Sequence, residues 1–258
     1  MSVKILYFSG TGNSFYVAKI LANHFLQNSI ESIAEYRNES EIVFNDEEIV
    51  IISPIYFYGI PHIVVDFLEH INLTNVKYLS FIFTAEFPNG IAVDLLNKIC
   101  ERKHLLINSC FYLKMPTNYI IKSKMLESDA IETTLIKANK KLNKIIDIIK
   151  MKKNYIEKDS KIYSKIVGAR KAYSEWEKAF LGFDSGFIAL DNCNKCKLCE
   201  KHCPVGNIVV DEKPIWSGAC EACLKCINIC PKQAIQYDKK TEGRPRYFNP
   251  KVKINEFI

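Results

Sequence analysis

No uninterrupted apolar run in this chain is long enough to cross a bilayer, which takes about 20 predominantly apolar residues in helical form. The stretch Ile49–Leu68 comes nearest, and Pro54, Gly59 and Pro61 break it while Asp66 charges its end. Those breaks fit a strand, a loop and a helix opening at Pro61. The start, Met1 to Gly10, lacks a charged n-region, a long apolar core and a small-residue cleavage site, so a cytoplasmic protein is expected. Two nucleotide signatures are missing as well. The dinucleotide fingerprint needs a third glycine where Phe15 stands, and no Gly-Lys-Ser/Thr follows the first glycines. The five histidines, His24, His62, His70, His104 and His202, form no set, although His202 adjoins Cys203 and is a candidate to tune a potential there.

Ten cysteines are present, and eight of them lie between Cys193 and Cys230. With no export signal, close and repeated spacing reads as metal ligation in a reducing compartment rather than as disulfides. Two units repeat the pattern C-x2-C-x2-C-x3-C-P, one over Cys193, Cys196, Cys199 and Cys203-Pro204, the other over Cys220, Cys223, Cys226 and Cys230-Pro231. Zinc ribbons also use C-x2-C pairs but separate them further. The spacing suits cubane clusters, and the segment resembles the bacterial two-cluster ferredoxins. That resemblance implies two 4Fe–4S clusters with crossed ligation: Cys193, Cys196, Cys199 and Cys230 on the first, Cys220, Cys223, Cys226 and Cys203 on the second. Lys197 departs from the pattern, since those proteins often carry glycine there, and bears on the local turn and the potential. Cys100 and Cys110 read as small buried residues.

The first half alternates apolar runs with helical patterns. Strands are expected over Val3–Phe8, Ile49–Ser53, Tyr78–Thr84 and Ile107–Leu113, with a fifth near Ile30–Tyr36. Helices are expected over Ser14–Gln27, Pro61–His70 and Asn89–Arg102. Continuous rather than alternating apolar runs suit a parallel sheet buried on both faces, and the rhythm is that of a doubly wound α/β domain. A basic helix follows over Asp129–Lys153, then another over Val167–Leu181. The expected division is 1–165 for an α/β domain, 166–182 for a connecting helix, and 183–258 for a small α+β cysteine domain with a tail.

Ser9-Gly10-Thr11-Gly12-Asn13-Ser14 follows the first strand and opens a helix, the place where backbone amides and hydroxyls cradle an anion. Without a lysine it suits a monoester phosphate, and a plain tight turn is the alternative. Pro54-Ile55-Tyr56-Phe57-Tyr58-Gly59 ends the next strand, where aromatic rings either stack on a planar cofactor or simply pack. These loops look like the phosphate and ring loops of flavodoxins, and Thr84, Ala85, Glu86, Phe87, Asn89 and Gly90 occupy the place of the third flavin loop. With Met115-Pro116-Thr117-Asn118-Tyr119 and the tail Gly243 to Pro250, nearly the whole chain resembles the flavodoxin–ferredoxin fusion proteins of anaerobic bacteria and archaea. The resemblance implies a five-stranded flavodoxin-like sheet that binds FMN, followed by the two-cluster module.

The function so implied is electron transfer between the clusters and FMN, which couples one-electron to two-electron chemistry. An FMN-dependent reductase of a small acceptor such as a quinone is the alternative, and a redox-sensing interaction module a third. The formal net charge of +6, with lysines at 140, 141, 144, 150, 152 and 153, points to an acidic redox protein as partner. Nucleic acid is not expected, because no recognised binding motif accompanies the charge.

Overall fold

The computed structural model describes residues 2–87, 90–157 and 168–257. Strand β1 (Ser2–Tyr7) leads into helix α1 (Asn13–Ala22), and β2 (Gln27–Ser32) follows. Next come β3 (Ile42–Val43), β4 (Glu48–Pro54), α2 (His62–His70), β5 (Ile71–Asn72) and β6 (Tyr78–Ala85). Helix α3 (Ala92–Arg102), β7 (Ser109–Lys114), α4 (Ser128–Lys150) and β8 (Tyr155–Ile156) complete the first part. The main sheet has the order β2-β1-β4-β6-β7-β8 and is parallel throughout. Without its short β8 edge this is the doubly wound order found in flavodoxins. Strand β4, Glu-Ile-Val-Ile-Ile-Ser-Pro, is buried along its whole length, which explains why its letters do not alternate. On β1, Ile5 and Tyr7 face α1 and α4, while Leu6 and the following Phe8 face α2 and α3, so each side chain serves one of two cores.

Three expectations shift. The sheet has six strands, because Tyr155–Ile156 pairs with β7 as an edge of two exposed residues. The fifth expected strand lies earlier than Ile30–Tyr36. Its outer edge position leaves β2 mostly polar, and Ile33–Tyr36 forms a 3-10 turn, with Ser32 Oγ accepting from Ala34 N at 3.3 Å. Helix α1 stops at Ala22 instead of Gln27, and Asn28 Nδ2 donates to the carbonyls of Ala22 and Phe25 across that stop. The basic helix is the crossover from β7 to β8. It buries Leu135, Leu142, Ile146 and Ile149 and turns Lys140, Lys144 and Lys150 to solvent. Lys141 is committed to Glu157 at 2.6 Å, and Lys152 to Glu48 at 2.5 Å.

Helix α5 (Ala169–Ala179) leads into the cysteine-rich part, and the boundary expected at 165 lies outside the described residues, as does Val167. That part contains β9 (Phe187–Ala189), α6 (Leu198–Lys201), β10 (Ile208–Val210), β11 (Pro214–Trp216), α7 (Lys225–Ile229) and β12 (Ile235–Tyr237). Strand–helix–strand occurs twice with a 27-residue offset, and the pairing is exchanged: β9 joins β12, and β10 joins β11. The sequence repeat of cysteines is therefore a structural repeat with an approximate twofold relation. A third core joins both parts of the chain. Ile120, Ile121 and Met125 of the first pack with Phe180, Phe183, Leu224, Ile227 and Tyr247 of the second. Among the described residues no helix is long and apolar enough to cross a membrane.

Candidate redox site

The chain reverses at the C-terminal ends of β1, β4, β6 and β7, and these four turns enclose a cleft of about 250 Å³. Doubly wound sheets bind ligands at this edge. Ser9, Gly10, Thr11, Asn13 and Ser14 line it, with Pro54, Ile55, Tyr56, Phe57 and Tyr58, and Thr84, Ala85, Glu86 and Phe87. Gly12, Gly59 and Gly90 stand behind the walls, against Val252, Trp176 and Tyr58 respectively. Asn89 lies outside the described residues. The fourth wall, Pro116 to Tyr119, was legible in the sequence only through resemblance, and Ala222 reaches the cleft from the cysteine segment.

The first loop is built to present donors. Gly12 takes φ 94° at the entrance to α1, a left-handed value that favours glycine, and its amide donates to Ser9 Oγ at 3.2 Å. The next amides begin a helix and have no intrahelical acceptor, so they are free for an anion. Ser14 and Thr84 hydroxyls share a buried hydrogen bond of 2.9 Å. The Asn13 side chain is a brace: Nδ2 donates to Pro116 O, while Oδ1 accepts from Tyr247 OH at 2.6 Å and Asn249 Nδ2 at 3.0 Å. Asn249 N also donates to Thr11 O at 2.9 Å. The C-terminal tail thus holds the loop in shape, a role no local pattern announces.

Tyr56 and Gly59 exchange both backbone hydrogen bonds at 2.9 Å, and between them Phe57 and Tyr58 take φ 49° and 67°. Two bulky residues in a turn that favours Asn-Gly are a local strain of the kind that accumulates at ligand sites. The turn sends Phe57 against Phe180 and Phe183 and leaves Tyr58 and Phe87 exposed at the cleft. Burial, then the nearby Cys223 and Glu221, push the Tyr56 hydroxyl well above its ordinary range.

The eight module cysteines form two nests. Cys193, Cys196, Cys199 and Cys230 surround one small cavity, and Cys203, Cys220, Cys223 and Cys226 another. The fourth cysteine of each unit has crossed to the other nest. All ten cysteines are free thiols. Among the described residues no three His, Cys, Asp or Glu side chains converge closely enough to hold one metal ion. A cubane asks for something else, one thiolate at each of four irons around a cavity, and the donor sets fit that group. Amides point at the sulfurs: Asn207 N to Cys203 Sγ at 3.2 Å, Ala234 N to Cys230 Sγ at 3.3 Å, and Ala222 N to Cys220 Sγ at 3.3 Å. Lys195, Lys197 and Gly206 in the first unit, and Ala222, Leu224 and Gln233 in the second, all take left-handed backbone at matching positions. Lys197 therefore adopts the conformation that glycine would adopt there freely.

The nests differ in depth. Cys196 is exposed, whereas Cys223 and Cys226 are buried. Burial first, then neighbouring sulfurs, raises Cys199 to about 11 and Cys223 to about 12. Burial raises Cys100 to about 12, and it and Cys110 pack in the core as expected. The inner nest also contains an unpaired buried cation, Lys225, and burial lowers it to about 8. His202, beside Cys203, is buried with Nδ1 unpartnered, and burial and then Lys225 lower it.

The inner nest touches the cleft. Asn118 Nδ2 donates to the Cys223 carbonyl at 3.1 Å. A β-carbon on Gly10 would lie 2.6 Å from that carbonyl oxygen and 2.6 Å from the Tyr56 hydroxyl. Glu221 Oε1 accepts from Ile63 N at 3.0 Å, and Asn228 Nδ2 donates to Asn118 O at 3.3 Å, which secures the joint. The glycine was visible in the sequence as a phosphate-loop residue, but the close approach of Cys223 that demands it was not.

The architecture is a flavodoxin-like fold joined to a ferredoxin-like cysteine module. No family model matches the chain. Over 57 residues it is 48% identical to one of the proteins of the ion-translocating oxidoreductase complex of Methanosarcina acetivorans, 21% of this chain and 22% of that protein. Over 56 residues it is 36% identical to the PorD component of the pyruvate synthase of Thermotoga maritima, 20% of this chain and 56% of that protein. The chain spans less than two thirds of either curated relative. Among solved structures, oxidised flavodoxin 1 from Bacillus cereus matches with a TM-score of 0.38 and 17% identity, covering 56% of this chain and 98% of the other. Rubredoxin oxygen:oxidoreductase from Desulfovibrio gigas matches with a TM-score of 0.35 and 14% identity, covering 58% of this chain and 36% of the other. The fold assignment rests on the strand order and parallel register of the sheet.

Proposed function

We propose that the chain is an electron-transfer iron–sulfur flavoprotein, with FMN in the cleft and a 4Fe–4S cluster in each cysteine nest. The observation that carries this reading is the contact of Cys223 with Gly10 and Asn118, which joins the inner nest to the cleft wall. Bound there, FMN exchanges one or two electrons and each cluster one, so the assembly joins the two kinds of chemistry. Ser9, Thr11, Asn13 and Ser14 offer amides and hydroxyls to the phosphate, and the α1 N-terminus supplies favourable charge without a lysine. Tyr56, Tyr58 and Phe87 supply the aromatic surface for the ring, with Pro54, Ile55, Thr84, Ala85 and Glu86 at its edges. In the proposed organisation, residues 1–165 bind FMN, 166–182 connect, and 183–258 hold the clusters.

The exposed Cys196 marks the outer nest as the end open to a redox partner. That one curated relative belongs to an oxidoreductase complex supports such a partnership. An acidic partner would be steered by Lys140, Lys144, Lys150 and Lys153. Anaerobic purification with an absorbance spectrum and iron analysis tests the reading. Flavin bands with about eight irons per chain are expected, and their absence would remove it.

A second reading, an FMN-dependent reductase of a small acceptor such as a quinone, draws on the exposed Tyr58 and Phe87 at the mouth of the cleft. Steady turnover of a quinone by the flavin-loaded protein is its test.

A further inference from the structure

The two halves of the cysteine module can be compared residue by residue, because strands, helices, left-handed positions and amide-to-sulfur bonds recur with the same 27-residue offset. At the first position of the short helix they part: Leu198 opens α6, and Lys225 opens α7. Lys225 is 1% exposed, and its Nζ has no hydrogen-bond partner. Its contact with the Phe257 ring, 4.0 Å to the centroid, is a weak substitute for a counter-charge. A buried ammonium without a partner is strongly unfavourable. The residue also lines the cavity enclosed by Cys203, Cys220, Cys223 and Cys226. A cubane with four thiolates carries net negative charge that grows by one on reduction, so a cluster in this cavity is the missing anion.

The counterpart at the outer nest, among the described residues, is weaker. Arg246 comes near Cys230 with Nε and Nη1 buried and unpartnered, but the residue as a whole is less buried than Lys225, and its Nη2 already donates to the Ile235 carbonyl at 3.2 Å and to Gln236 Oε1 at 2.9 Å. Solvent and protein dipoles screen such a charge more than they screen Lys225.

We propose that Lys225 is the built-in counter-ion of the inner cluster and raises its reduction potential above that of the outer cluster. The proposal rests on the reading that both nests hold clusters. An electron received at the outer nest then passes downhill to the nest that touches the flavin cleft. One electron is lost by the outer cluster and one gained by the inner, and Lys225 itself changes no bond. Lys225 is thus a positioning residue for the electron.

The test is an anaerobic potentiometric titration of the flavin- and iron-loaded protein, followed by electron paramagnetic resonance, with iron analysis of every variant. Lys225→Met keeps the side chain's length and removes its charge, while Lys225→Arg keeps the charge. In Lys225→Met at full iron content, one midpoint potential should fall by at least a tenfold change in its reduction equilibrium, about 59 mV for one electron, and the other should hold. Lys225→Arg should stay near the wild type. Selective loss of one cluster in Lys225→Met, with retention in Lys225→Arg, also supports the counter-ion. Unmoved potentials at full iron, or loss of the cluster in both variants, would overturn it. A wild-type content of about four irons or fewer would instead remove the two-cluster reading itself, and this proposal with it.

Discussion

Lys197 and Gly10 show how a single backbone position constrains this site. Lys197 sits at φ 58°, where a side chain costs about 1 kcal/mol relative to glycine. Lys197→Gly should therefore raise stability by about that amount, which anaerobic thermal melts of the loaded protein would detect. Leu224 shares the conformation but is buried in the joint core, so Leu224→Gly should destabilise because lost burial outweighs relieved strain. Gly10 is constrained by space. An added methyl would meet the Cys223 carbonyl oxygen at 2.6 Å, and backbone yields poorly. Gly10→Ala should slow intramolecular electron exchange at least tenfold by wedging the nest from the cleft, read by stopped-flow absorbance. An unchanged rate would detach the contact from the function. The sequence announced glycine at this loop but gave no sign of its neighbour, because Cys223 lies more than two hundred residues away in the chain.

At the scale of elements, legibility followed burial. Strands β1, β4, β6 and β7 were readable because burial on both faces writes continuous apolar runs. β2 was placed a few residues too late and β8 was not seen, since edge strands bury little and their letters are polar or few. The crossing of cysteines was implied by the resemblance of each unit to the two-cluster ferredoxins. It yields a sharp expectation: Cys203→Ala should damage the cluster of Cys220, Cys223 and Cys226, and leave that of its nearer neighbours Cys193, Cys196 and Cys199. Iron content with the resonance signal of each cluster decides it, and selective loss of the other cluster would contradict the crossing. Helix α4 was legible as amphipathic, but its lysines are not one uniform face. With Lys141 and Lys152 engaged by acids, steering of an acidic partner would fall to Lys140, Lys144, Lys150 and Lys153. Association with an acidic redox protein should slow as salt rises, and salt-independent rates would assign docking elsewhere.

Across the whole molecule, the cysteine module is too thin to stand on its own apolar contacts, since its strands are three residues long and its helices four or five. Small modules of this kind depend on their metal for folding. The tail that leaves the module braces Asn13 through Tyr247 and Asn249, so under the proposed function iron binding and flavin binding would be linked. Removing iron with a chelator should weaken FMN affinity by about tenfold, measured by flavin fluorescence, and added FMN should slow iron loss in return. Equal affinity with and without iron would show that the joint is passive.

The exchanged pairing of β9 with β12 and β10 with β11 also bears on how the protein is made. Under the crossed arrangement, a nascent chain that has emerged through Cys199 holds three ligands of a cluster but lacks the fourth until Cys230 appears. Neither half-module is a complete container during synthesis. If both nests hold clusters as proposed, neither could be completed before the chain has emerged to Cys226, and insertion would be a late event in synthesis.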